Sequence, residues 1–295
     1  MPRSSPRPHS GHYHVVTRPR RAAPTPFAAS TAEADVRLAG RLRLRCLEQG
    51  DPTGRPVIML HGLADSSYSF SRILPHLGRE QRVLVPDLRG HGESERPPEG
   101  YGPRDMARDV LDLMDARGIE RATLVGHSMG TFVAQRVALA APGRVTGLVL
   151  IASATTADNP VLLEVLRSLD SLSESVPEEF AREFQASTTH RPLPQEFMAR
   201  VVEESLKAPT RVWRAALGRL IAEERFAGLP NGRIPALLLW GERDGIFSRD
   251  EQEGLIDRLR VTSLRVYRDT GHAPHWERPR EVARDIERFL RTTVP

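Results

Sequence analysis

The sequence predicts an α/β fold: a mostly parallel sheet, covered by helices on both faces, with an all-helical segment inserted into it. Three observations lead there. Short apolar runs of strand length alternate with helix-length segments from about residue 57 onward. Runs such as Val57-Ile58-Met59-Leu60 are apolar throughout, as a strand buried on both faces requires. Strand signals then stop between Ala154 and about Leu229, where helical patterns follow one another.

Residues 1–32 come first and belong to none of this. They are rich in Pro, Ser, Arg and His and have no apolar periodicity, which reads as a disordered basic tail. The tail carries five arginines and no acid, leaving 37 basic against 38 acidic residues in the remainder. The formal charge of +4 therefore belongs to the tail, and no nucleic-acid partner is expected. Arg20-Arg21 followed by Ala22 and Ala23 has the start of an export signal, but Pro24 and Pro26 interrupt an apolar region already too short. No apolar stretch is long enough to span a membrane, so a cytoplasmic location with no membrane partner is expected. The single cysteine, Cys46, excludes an intramolecular disulfide and reads as a core residue.

The core elements fall in residues 33–153 and 230–295. Val36 and Leu38, then Leu42, Leu44 and Cys46, alternate around Gly40 and predict a hairpin at one sheet edge. Val57–Leu60 follows, then a helix over about 68–77, a strand at Val83–Val85 and a helix from Pro103 to Arg117. Strands at Ala122–Val125, Val145–Ile151, Ala236–Trp240 and Ser263–Tyr267 complete eight, and a last helix runs over 279–290. Residues 154–229 form the insertion. Its four helices start near Pro160, Pro177, Pro194 and Pro209, since proline suits a helix's first turn. Leu162, Val165, Leu166 and Leu169 make one apolar stripe; Trp213, Ala216, Leu217 and Leu220 make another. Such an insertion reads as a cap, or lid, that shapes a substrate pocket.

Gly126-His127-Ser128-Met129-Gly130 ends the strand at Val125 and opens a helix carrying Phe132, Val133, Val137 and Ala138. A serine on so sharp a strand-to-helix turn is lifted clear of the sheet and faces the first amides of the next helix. The pentapeptide alone fits an inert turn equally well. A serine hydroxyl also needs a base, and the base an orienting carboxylate. Asp244 follows the strand ending at Trp240, and His272 follows the last strand, so both fall at the carboxyl edge, where open parallel sheets build their sites. Asp158 is an alternative acid.

Five segments in this order carry a resemblance: His61-Gly62-Leu63, Asp87 to Ser94, Gly126 to Gly130, Gly241 to Asp244, and Gly271 to Pro274. The chain resembles an α/β-hydrolase-fold serine hydrolase of the esterase or lactonase type from about Asp35 to its end. The resemblance implies an eight-stranded sheet, Ser128 as nucleophile, His272 as general base then acid, Asp244 as its orienter, and the backbone amides of Leu63 and Met129 as oxyanion donors. It implies no cofactor and no metal. Ala64, Thr131, Trp213, Ile246, Phe247 and His275 are the expected pocket residues. Thr131 stands where many relatives carry glycine. His61 is expected to brace the oxyanion loop, His91 and His127 to bond locally, and Asp87 and Glu242 to hold turns.

Serine at 128, where epoxide hydrolases and haloalkane dehalogenases carry aspartate, implies acyl transfer to water. The expected function is hydrolysis of a carboxylic ester or lactone of a medium-sized apolar small molecule by a monomer or homodimer. Carbon–carbon bond hydrolysis, perhydrolysis, a ligand receptor that retains the triad, and a cofactor-free oxygenase remain as alternatives on the same fold.

Overall fold

Alternate residues of each apolar run face opposite sides of one sheet, so each run contributes to two cores. Val57 and Met59 join one cluster with Phe70, Ile73, Ile286 and Phe289, while Ile58 and Leu60 join another with Met106, Val110, Phe132 and Val133. The computed structural model describes residues 31–39, 42–229 and 234–292. Eight strands form the sheet: β1 (Thr31–Arg37), β2 (Arg43–Gly50), β3 (Arg55–Leu60), β4 (Gln81–Pro86), β5 (Ala122–His127), β6 (Val145–Ile151), β7 (Pro235–Gly241) and β8 (Arg260–Tyr267). Their order is β1-β2-β4-β3-β5-β6-β7-β8. The pairs β1/β2 and β2/β4 are antiparallel and every other neighbouring pair is parallel.

Helices α1 (Pro103–Ala116) and α2 (Met129–Ala140) pack on one face. Between β6 and β7 run α3 (Pro160–Asp170), α4 (Glu178–Ser187), α5 (Gln195–Leu206) and α6 (Thr210–Ile221), followed after β7 by α7 (Arg249–Arg258). After β8 come a short α8 (Pro274–Glu277) and α9 (Pro279–Thr292), whose Val282, Ile286 and Phe289 cover the opposite face. Pro160 takes the first helical position of α3, whereas Pro177, Pro194 and Pro209 are N-caps. Proline's fixed φ fits either place.

Two expectations change. The helix expected over 68–77 is two 3₁₀ turns, Ser67–Phe70 and Leu74–His76, because Pro75 has no amide to continue an α-helix and the chain is extended again at Leu77. The tail boundary at residue 32 is late: Thr31 and Ala32 already pair with Gln49 and Glu48, backbone pairing that needs no apolar side chain. The Gly40 turn and residues 1–30 lie outside the described residues. Cys46 is fully buried, and burial pushes its thiol up to about 12, which leaves it inert as a nucleophile. Among the described residues no helix is long and apolar enough to cross a membrane.

Candidate active site

Ser128 joins β5 to α2 with φ at +49°, a conformation that non-glycine residues rarely adopt. The two flanking glycines make the turn possible. A Cβ on Gly126 would stand 2.5 Å from the Gly130 carbonyl oxygen, and one on Gly130 would stand 2.1 Å from that of Leu60. Ser128 N–H donates to Ile151 O at 3.0 Å, and Thr131 donates to Ser128 O through its amide at 2.9 Å and its hydroxyl at 2.6 Å. Ser153 Oγ in turn donates to Thr131 Oγ1 at 2.9 Å. Thr131 therefore does not line the cavity, contrary to expectation: its hydroxyl is consumed in holding the elbow.

Asp244 lies just past β7. Its Oδ1 accepts from the amides of Ile246 at 2.9 Å and Phe247 at 3.0 Å, and Trp240 Nε1 donates to Phe247 O at 2.9 Å, which pins the same loop. His272 Nδ1 stands 3.0 Å from both carboxylate oxygens of Asp244. A carboxylate only accepts, so Nδ1 carries the proton and Nε2 presents a lone pair. That Nε2 is buried and has no hydrogen-bond partner among the described residues. Asp158, the alternative acid, is exposed outside this group.

Ser128 and His272 line one cavity of ≈ 20 Å³, little more than a single water needs. Leu63 and Ile246 line it from the loops after β3 and β7, and the insertion roofs it with Leu162, Phe184, Leu217 and Leu220. Of the residues expected in a pocket, Ile246 lines this cavity and Ala64, Trp213, Phe247 and His275 do not. Ala64 is buried with φ at +59° and turns the loop instead. Trp213 is fully buried within the insertion, edge-on to Phe180 and Phe184, with Nε1 donating to Ser205 O at 3.3 Å. Phe247 backs the site, its ring 5.5 Å from that of His272. His275 is engaged behind it through Nε2 with Ser69 Oγ at 3.1 Å.

Asp65, Gln185, Thr188 and Trp276 also line the cavity and were not anticipated. Asp65 had a signal, four residues beyond His61 in the loop already singled out; the residues from the insertion had none, because their helices read only as packing stripes. No Lys or Arg lines the cavity among the described residues.

Of the other histidines, His91 bonds within its turn as expected, whereas His127, expected to bond locally, reaches across to His272 O at 3.1 Å. His61 Nε2 accepts from Leu88 N at 2.9 Å, so Nδ1 donates to Gly62 O at 2.8 Å and ties the loop after β3 to the turn after β4. Asp87 holds that turn through the amides of Ser67 at 2.7 Å and Glu93 at 2.8 Å. His91 Nδ1 meets Arg89 O at 2.9 Å. Burial drives the pKa of His61, His91 and His127 below the ordinary imidazole value. Glu277 couples the insertion to the His272 loop: its carboxylate accepts from Gly271 N at 2.8 Å and Arg191 N at 2.8 Å.

A serine on a strained strand-to-helix turn, with a histidine–carboxylate pair at the same edge of a mostly parallel sheet, defines a class of hydrolases. The chain belongs to the alpha/beta hydrolase fold family, whose model matches residues 55–279. It is 26% identical over 249 residues to esterase YbfF of Escherichia coli (strain K12), covering 82% of this chain and 95% of that protein. It is 28% identical over 265 residues to the 2-hydroxymuconate semialdehyde hydrolase of Pseudomonas sp. (strain CF600), covering 84% and 89%. The solved structure of a thermophilic esterase from Thermogutta terrifontis is similar at a TM-score of 0.76, with 27% identity over 90% of this chain and 100% of that one.

Proposed function

We propose that the protein is a serine hydrolase that cleaves a carboxylic ester or lactone of an apolar small molecule through an acyl-enzyme. The observation that carries the reading is the buried, unpartnered Nε2 of His272, held by Asp244 and lining the same cavity as Ser128. Nε2 takes the proton as Ser128 Oγ attacks the ester carbonyl, and the amides of Met129 and Leu63 receive the negative charge that develops on the carbonyl oxygen. The imidazolium then protonates the departing alkoxide, leaving Ser128 acylated. A water, deprotonated by the same Nε2, attacks the acyl carbon and the serine oxygen leaves with that proton. Asp244 stays ionised and holds the ring in one tautomer.

The helices α3 to α6 act as the cap. Leu162, Phe184, Leu217 and Leu220 give its underside an apolar character that suits an acyl or aryl group. The cavity is smaller than such a group, so the cap shifts outward to admit substrate. Carbon–carbon bond hydrolysis is the second reading, supported by the semialdehyde hydrolase relative. A panel of p-nitrophenyl esters, lactones and an enol diketone separates them. Multiple ester turnovers abolished by Ser128→Ala support the proposal; cleavage of the diketone alone favours the second reading, and a single slow event favours a receptor.

A further inference from the structure

One polar feature of the cavity has no part in the steps above. Asp65 and His127 both line it, both buried. His127 Nε2 lies 3.1 Å from the carbonyl oxygen of His272, which can only accept, so Nε2 carries the proton. Desolvation by burial pushes the ring's pKa below the ordinary imidazole value, and with the proton on Nε2 its Nδ1 is an acceptor, buried and without a hydrogen-bond partner among the described residues. Facing it at 3.7 Å is Asp65 Oδ2. That is too long for a hydrogen bond, and it sets two acceptors against each other.

Asp65 is not free to turn away. Gln185 Nε2, from the insertion, donates to its Oδ1 at 3.1 Å, and Ser69 Oγ donates to Oδ2 at 3.1 Å. Beside the two acceptors is Gly62. A Cβ there would stand 3.0 Å from His127 Nδ1 and 3.2 Å from Asp65 Oδ2. Gly62 thus puts no side chain beside the two acceptors, and the corner of the cavity that Gly62, Asp65 and His127 line together is a spot bounded by both, one residue before Leu63.

We infer that this spot is a subsite for a hydrogen-bond donor on the substrate, a hydroxyl or amine N–H close to the ester carbonyl. It rests on the hydrolase reading for its place beside the scissile bond. A donor there satisfies two buried acceptors at once, whereas a plain ester leaves them unpaired, and site groups left unpaired are what reject an analogue that lacks the donor. A carboxylate-bearing substrate fares worst, since it meets Asp65 with no Lys or Arg lining the cavity among the described residues.

The test uses the Ser128→Ala protein, which keeps the subsite without turnover, titrated by NMR with butyramide, 2-hydroxybutyramide and 3-hydroxybutyramide. At least one hydroxylated amide should bind about tenfold more tightly than butyramide. Adding Asp65→Asn, nearly isosteric, places an amide donor against His127 Nδ1 from within the protein, so the preference should fall to within twofold. Equal affinity for all three amides overturns the proposal, as does a preference that survives Asp65→Asn. The hydrolase reading fails separately: if the wild-type protein turns over no ester while the amide preference holds, the subsite stands and the reaction is another.

Discussion

Asp244 Oδ1 is shared between the His272 ring and two backbone amides, those of Ile246 and Phe247, while Oδ2 faces only His272 among the hydrogen-bond donors described. The carboxylate is therefore asymmetric in what surrounds it. In Asp244→Asn the side-chain oxygen stays where the two amides donate, and the NH₂ group takes the place of Oδ2. That NH₂ can only donate and the retained oxygen already accepts from two amides, so the ring is biased to accept at Nδ1 and carry its proton on Nε2. A protonated Nε2 cannot take the serine proton. Ester kcat should fall by about four orders of magnitude with little change in melting temperature. A loss of less than about tenfold would mean another group orients the ring.

In the proposed mechanism Ser128 and His272 act on one proton, so their losses should not add. Ser128→Ala and His272→Ala should each lower kcat by roughly four to six orders of magnitude, and the double variant should be little worse than either. Single-turnover measurements of p-nitrophenyl release check this. Losses that multiply in the double variant would show that the two side chains work in separate steps.

Stability against acid should be set in part by buried histidines. Burial lowers the His91 imidazole from 6.5 to about 3, with the nearby His61 adding to the effect. Between those values the unfolded chain binds a proton at this position and the folded chain does not, so stability falls as pH falls, and levels off only below the folded value. The slope from one such group is about 1.4 kcal/mol per pH unit. Urea unfolding of the wild-type protein between pH 7 and 5 should show a steady fall in ΔG, and His91→Gln should reduce that slope by about one proton. An unchanged slope would place the acid sensitivity elsewhere.

The sheet and the strand-end positions of Ser128, Asp244 and His272 were legible in the sequence because they rest on local chemistry. Gly126 and Gly130 are required by backbone approach at the elbow, Asp244 follows the continuous apolar run of β7 and His272 follows the last strand, so their place at the strand ends can be counted off. The hydrophobic periods also gave all four inserted helices. What periodicity does not carry is which way an amphipathic helix faces over a cavity. Phe184 and Trp213 look alike as members of apolar stripes, yet the first lines the cavity and the second is sealed within the insertion. The Asp65–His127 opposition was equally out of reach, because it sets a side chain from the loop after β3 against one at the end of β5, and only the folded packing brings them to 3.7 Å. The 3₁₀ turns at Ser67–Phe70 and Leu74–His76 take the place of one helix because the missing amide of Pro75 interrupts a span whose apolar pattern runs through it.

Phe184 also separates two spaces. It lines the small cavity at Ser128, and on its other side an apolar cleft of ≈ 510 Å³ opens between α3 and α4, lined by Val161, Val165, Phe180 and Phe184 itself. The ring is the one apolar group common to both, so Phe184→Ala should join them into a channel that an extended acyl chain can follow. The preference for p-nitrophenyl decanoate over the butyrate, taken as a ratio of kcat/KM, should rise by about tenfold, since each methylene newly buried is worth about 0.8 kcal/mol and six are added. The full sum is not expected, because part of the cleft stays open to water and ordering the chain costs entropy. Phe184 is half-buried, so the loss of stability should stay below the roughly 3–5 kcal/mol of a fully buried Phe→Ala. Stable protein with an unchanged chain-length profile would show that the acyl group leaves the cavity by another path.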